Sequence, residues 1–122
     1  MKNQIAACNI KLKRAYSPPS VEDGTRILID RLWPRAVRKS DVAIDHWIKD
    51  VSPSTALRKW FGHDPARWQE FCRRYAAEIH DHPDRLRELR AMARKGPITL
   101  VFAAHDELRN NAVVLRNVLL ER

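Results

Sequence analysis

The sequence predicts an α/β domain, with a largely parallel central sheet of about four strands flanked by helices. Three observations point that way. Short β-type runs come first, at residues 9–16 and 26–29. Residues 52–95 then repeat apolar side chains every three or four positions, and a continuous apolar run at 98–104 precedes one more helical stretch. Strands separated by helices favour a parallel sheet, because a parallel return needs a long crossover.

Residues 9–16 alternate, with Ile10, Leu12 and Ala15 set against Lys11, Lys13 and Arg14, the pattern of a strand with one wet face. Pro18-Pro19-Ser20 breaks it. After the turn-forming Glu22-Asp23-Gly24, residues 26–29 read as a more buried strand, which Pro34 prevents from continuing as regular ladder. Residues 42–47 alternate again and fit either a third strand or an irregular extended segment. Ser52 or Ser54 can cap a short helix that contains Leu57, Trp60 and Phe61 and stops at Gly62. Asp64-Pro65 opens the next helix as cap and first-turn proline, and Trp68, Phe71, Cys72, Tyr75, Ala76 and Ile79 form its inner stripe. Pro83 starts another, with Leu86, Leu89, Met92 and Ala93 inward and a stop at Lys95-Gly96. Residues 98–104 have the composition of a central strand buried on both faces. Asn110-Asn111 open a final helix whose inner stripe is Val114, Leu115, Val118 and Leu119.

A length of 122 residues suits one compact domain with one core. No apolar run approaches the ~20 residues that span a bilayer, and residues 1–8 lack the apolar centre of a signal peptide, so a cytoplasmic protein is expected. Cys8 and Cys72 have no metal-type spacing and read as two reduced structural thiols. The net charge of +8 favours acidic partners. Its arginines are dispersed, however, and most fall on the solvated faces of helices. Three glycines in the whole chain leave no room for a dinucleotide or phosphate-loop fingerprint. His80-Asp81-His82 lacks a third ligand at a metal-binding spacing, so no metal is assigned and no motif names a cofactor.

The hexapeptide Asp30-Arg31-Leu32-Trp33-Pro34-Arg35 follows directly on a buried strand. Charges are costly where a strand leaves the core, which makes a use for them more plausible than chance. In a parallel sheet the other buried strand ends on the same edge, at His105-Asp106, and ligands of such sheets sit outside that edge. Asn110 and Asn111, at the start of the last helix, would add amide donors to an anion cradle there, with Arg31 or Arg35 supplying a bidentate fork. The structural alternative is that Asp30 pairs with an arginine and Asn110 is simply a helix cap. Trp60-Phe61-Gly62-His63-Asp64 forms a second cluster, in which His63 beside Asp64 could serve as an oriented base. There too the alternative is structural, with Asp64 capping the helix that follows. Trp33 and Trp60 are flat surfaces for a ligand; packing is the competing role for Trp33 and Trp47.

These residues carry a resemblance. The chain resembles the bacterial family of domain of unknown function 488, in its YeaO-like branch, from about residue 9 to residue 120. The match rests on Ile10-Lys11-Leu12-Lys13-Arg14, the hexapeptide at Asp30, Pro53-Ser54, residues 57–63 and residues 110–115. It implies a single α/β domain and brings no established reaction, cofactor or substrate. Members of the family usually carry a histidine just before the Asn-Asn pair, where this chain has Arg109 and places a histidine earlier, at His105. A guanidinium cannot replace a proton-transfer group, since it stays protonated.

The expectation is therefore a protein that binds a small anionic ligand, phosphate- or nucleotide-like, at the C-terminal edge of the sheet. Arg31, Arg35, Trp33, Trp60, Asn110 and Asn111 would hold it. Asp30 with His63 or His105 would supply the acid–base step if the ligand is transformed. The alternative from another class is a nucleic-acid-binding module using scattered Arg, Lys and Trp, and a third is an adaptor with no pocket chemistry.

Overall fold

The computed structural model describes residues 5–121. Its centre is a four-stranded sheet in the order β1-β4-β2-β3, made of β1 (Ile10–Arg14), β2 (Thr25–Leu28), β3 (His46–Trp47) and β4 (Ile98–Phe102). Every pairing is parallel. The helices are α1 (Lys39–Val42), α2 (Thr55–Phe61), α3 (Trp68–His80), α4 (Pro83–Lys95) and α5 (Asn111–Leu120). Among the described residues no helix is long and apolar enough to cross a membrane.

Strand β4 is central because every one of its residues is buried, as its unbroken apolar run requires. It pairs with β1 from Ile10↔Ile98 to Arg14↔Phe102 and with β2 from Thr25↔Ile98 to Leu28↔Val101. Side chains alternate across the sheet. Ile10, Ile27, Ile29, Ile98, Leu100 and Phe102 face the main core, which α2, α3, α4 and α5 complete with Leu57, Phe71, Tyr75, Leu89 and Leu115. The opposite face carries a smaller cluster of Ala15, Leu28, Val42 and Val101, roofed by Trp33, Val37 and Ile44. Ala15 thus belongs on the face opposite Ile10, as strict alternation demands.

That second face is not open water. Lys11 and Lys13 are half-buried: Lys13 pairs with Asp23 at 3.1 Å and Lys11 donates to the carbonyl of Glu22. Asp23 is buried against Arg26, 2.6 Å away, and closes a capping box with Ser20. Arg26 is 3% exposed. Its Nε donates to the carbonyl of Val42, and Asp45 brackets its backbone by accepting its N–H and donating back to its carbonyl. These contacts explain the fate of residues 42–47. The chain does not extend throughout: Val42 ends a one-turn helix, Ala43 is left-handed at φ 49°, and only His46–Trp47 pair with β2. Holding Arg26 through its Nε and Nη1 and burying Val42 outweigh local alternation, although the Arg26 Nη2 stays buried without a hydrogen-bond partner among the described residues.

Cys72 packs half-buried against the main core, whereas Cys8 is exposed, so only the first acts as a core residue. Gly24 is required by space as well as by conformation. At φ 65° it enters β2 so close to β4 that a Cβ would lie 2.1 Å from the carbonyl oxygen of Pro97, which accepts the N–H of Thr25. Gly24→Ala should therefore lose more than the roughly 1–3 kcal/mol of its backbone strain. The check is a urea titration, where the midpoint falls while the slope is kept; an unmoved midpoint would show that the turn yields freely.

Candidate functional site

The position of the site follows from where β2 and β4 send the chain. After β2 it crosses to the second face, where residues 33–44 form the roof; after β4 it turns to the other face and enters α5. Two neighbouring strands whose continuations part in this way leave a crevice at their carboxyl ends. A cleft of about 670 Å³ lies there. Its third wall is residues 52–63 with Phe71 of α3. This wall is pinned from behind, because Glu78 accepts both the N–H and the hydroxyl of Ser54, and the Tyr75 hydroxyl donates to the carbonyl of Val51. Ser54 then caps α2 by accepting the N–H of Leu57.

Eight of the nine residues singled out from the sequence border this cleft: Asp30, Arg31, Trp33, Arg35, His63, His105, Asn110 and Asn111. Trp60 does not. On α2, Leu57 and Phe61 point to the core, which leaves Trp60 on the far side from Arg58. There its half-buried ring meets the guanidinium groups of Arg67 and Arg74, at 5.2 and 4.4 Å, away from the cleft.

Asp30 is the floor. Its Oδ1 accepts from the Asn111 amide at 2.9 Å and its Oδ2 from the backbone N–H of Ala103 at 2.9 Å. Its own carbonyl accepts the indole N–H of Trp47 at 2.7 Å. Burial pushes its carboxyl above the ordinary value of 3.8, against the lowering by the Asn111 and Ala103 hydrogen bonds and by the positive charge of Arg58.

The asparagines do not form the expected cradle. Asn110 is 2% exposed and is the cap of α5: its oxygen accepts the N–H of Val113 and its amide donates to the carbonyl of Asp106. Asn111 turns its amide to Asp30. Both side chains build the walls instead. His63 is likewise without the partner proposed for it, because Asp64 accepts the N–H of Ala66 and lies 3.8 Å from Arg67. Its backbone is left-handed at φ 58°, following Gly62 at φ 51°, and its ring lies 5.9 Å from that of Phe61. Arg109 pairs with Asp106 at 3.2 Å and closes its own loop. The Asp106 carboxyl is held below its usual range, chiefly by the N–H of Leu108.

Positive charge comes from the other walls. Arg31, Arg35 and Arg58 line the cleft and are exposed, and none has an ion-pair partner among the described residues. Arg31 makes only a long contact, 3.5 Å, to the carbonyl of Pro53. Arg58 escaped the sequence reading, since an arginine beside Lys59 on a short helix looks like ordinary solvated surface. Between the arginines the lining is apolar, with Leu32, Pro34, Pro53, Phe61 and Phe71. The indole N–H of Trp33 donates to the carbonyl of Val37, which folds the loop back over the sheet and sets Arg35 at the rim. Among the described residues no three His, Cys, Asp or Glu side chains are grouped to hold a metal ion.

With this geometry established, comparison with known proteins fixes the kinship. Residues 9–122 match the family model described as the inactive DUF488-N3 subclade. The chain belongs to the DUF488 family. It is 42% identical to the uncharacterized protein YeaO of Escherichia coli K12 over 111 residues, which cover 91% of this chain and 96% of YeaO. It is 40% identical over 115 residues to the uncharacterized proteins Rv3073c of Mycobacterium tuberculosis and Mb3100c of Mycobacterium bovis, covering 94% of this chain and 97% of each. No solved structure matches this DUF488 member.

The floor generates a prediction with a definite sign. Asn111→Ala removes a donor that favours ionised Asp30, so the carboxyl should titrate higher still. The variant should lose roughly 1.5–3 kcal/mol where Asp30 is ionised. Because the lost bond serves the charged form, the deficit should shrink as pH falls through the raised folded value, where both proteins carry neutral Asp30. Carboxyl-carbon NMR titration and unfolding at several pH values read the two effects; a deficit constant with pH would mean that the amide does not sense the charge.

Proposed function

We propose that this DUF488 member binds a small anionic organic molecule, phosphate- or nucleotide-like, in the cleft at the C-terminal edge of its sheet. The observation that carries the reading is the set of three arginines, Arg31, Arg35 and Arg58, that face one apolar-walled cleft with no carboxylate pairing to them. Guanidinium forks without an ion-pair partner are suited to an external oxyanion. The volume falls in the range of about 300–1,000 Å³ typical of small-molecule sites.

Binding without turnover is the favoured form of this proposal. Both oxygens of Asp30 are engaged by the protein, and Asp64 leaves His63 without an orienting acid. The description of the subclade as inactive agrees with that. Two free thiols, Cys8 and Cys72, suit a cytoplasmic setting. The outer helical surface gives little support to nucleic-acid binding, since Arg73 and Arg74 pair with Glu70, Arg87 with Asp84, and Arg85 with Asp50 and Glu88.

The test is thermal unfolding against a panel of phosphates, nucleotides, organic acids and short oligonucleotides. A ligand at ~100 times its dissociation constant adds roughly 2.7 kcal/mol, and about 1 kcal/mol moves the midpoint by some 3–6 °C at this size, so micromolar binding is visible. A shift produced by a small anion and abolished in Arg31→Ala or Arg35→Ala is expected. Stabilisation by oligonucleotides alone, erased by moderate salt, would overturn the reading. Affinity should also rise as pH falls toward the raised value of Asp30, because a bound anion makes protonation of that carboxyl easier still and neutralisation removes a repelling charge.

A further inference from the structure

We propose that the ligand is a phosphate monoester carried on a flat aromatic body; this rests on the anion-binding reading above and narrows it. Arg31 and Arg35 come from the loop after β2 and Arg58 from α2, so the guanidinium groups reach the cleft from two walls. A planar carboxylate has two oxygens and is satisfied by one fork. A phosphomonoester has three peripheral oxygens and close to two negative charges near neutral pH, and it takes donors from several directions. The number and spread of the arginines match the second.

Size and lining define the rest of the molecule. An inorganic phosphate would occupy only a small part of the 670 Å³, so the cleft has room for an organic part beside it. That part meets Leu32, Pro34, Pro53 and the rings of Phe61 and Phe71. A polyhydroxylated body would lose water wherever it meets these apolar side chains, which cannot hydrogen-bond, and would have to find its partners among Ser52, His63 and His105 at the other parts of the lining. A flat ring fits well. Phe61 and Phe71 are stacked, with centroids 4.3 Å apart and planes 20° apart, and Phe71 continues the series to Trp68 and Tyr75. Phe61 and Phe71 are 5% and 2% exposed and border the cleft with what surface remains, which a further ring would meet in an offset or edge-on arrangement.

Calorimetric titration at fixed salt tests the proposal, with phenyl phosphate as the probe and inorganic phosphate, benzoate and glucose 6-phosphate as comparators. Phenyl phosphate should bind at least tenfold tighter than each of the three. Arg58→Ala should weaken it tenfold or more while the ligand-free variant still unfolds in one cooperative transition, and Arg58→Lys, which keeps the charge without the fork, should recover only part. Benzoate binding as tightly as phenyl phosphate would overturn the phosphate assignment, and glucose 6-phosphate doing so would overturn the aromatic one. In either case retained sensitivity to Arg35→Ala would leave the anion cleft standing. Binding of none of these, nor of any anion in the wider panel, would fell both readings. Phosphotyrosine and adenosine monophosphate then separate a ring esterified directly from one borne on a sugar: tighter binding of either than of inorganic phosphate supports the class and names its source.

Discussion

The Asp30 carboxylate ties together the segments that would otherwise drift apart at the carboxyl edge of the sheet. It sits just past β2, yet its two oxygens accept from the start of the β4 exit, at Ala103, and from the first residue of α5, at Asn111. Its own carbonyl accepts from Trp47 at the end of β3. One residue therefore holds three strand ends and a helix start in register. The cost is visible in its ionisation. A carboxylate in water needs no such partners, whereas here burial disfavours the charged form more than two hydrogen bonds and the charge of Arg58 favour it. The balance is opposite at Asp23, where burial acts the same way but the Ser20 backbone, Lys13 and Arg26 prevail and hold the carboxyl low. Asp23 therefore loses its contribution as pH falls through its folded value, while the cost at Asp30 grows as pH rises through its own raised one.

The second face of the sheet shows why so short a cover suffices. Parallel sheets normally bury both faces under helices. Here one face has four helices and the other only residues 33–44 with the turn before β2. A polar layer makes up the difference, with Arg26, Asp23 and Thr99 buried and tied to one another and to the backbone of the covering turns. Such a layer adds little net stability compared with an apolar one, since desolvation offsets most of the attraction. What it adds is geometry: Arg26 fixes Val42 and Asp45, and those residues fix the loop that carries Trp33 and Arg35. Trp33 then meets Trp47 edge-on at 5.5 Å, which joins the roof to the strand that donates to Asp30.

Much of this was legible in the sequence, and the reasons are physical. Residues 98–102 had to be central, because an unbroken apolar run can be buried only on both faces. The stripe through Phe71, Tyr75 and Ile79 had to face a core, and the hexapeptide at Asp30 had to leave it, so eight candidate residues converge on one cleft. Other features depend on distant contacts that no local pattern encodes. The alternation of residues 42–47 is overridden by a buried arginine sixteen positions earlier. Asn110 and Asn111 were read correctly as polar groups at a helix start, but their amides point inward, to Asp106 and Asp30. Trp60 and Arg58 exchange roles because two residues on a helix turn the side chain by about 200°, and only the direction of the Leu57–Phe61 stripe decides which of them meets the cleft.

The distribution of charge gives the cleft its meaning. With a net charge of +8, a chain of this size attracts anions everywhere unless the excess is organised. On α3 and α4 it is organised by proximity: acids three or four positions away neutralise Arg73, Arg74, Arg85 and Arg87 locally, and exposed pairs of this kind do little for stability. Their effect is to bring acids beside several of the arginines on these two helices. Arg14, Arg90 and Arg116 are directed to backbone carbonyls and close the ends of strands and helices. The guanidinium groups at the cleft are held more loosely, with Arg31 in only a long contact to the carbonyl of Pro53 and none of the three in an ion pair among the described residues, and it is this contrast with the helical surface on which the proposed binding of a compact anion rests.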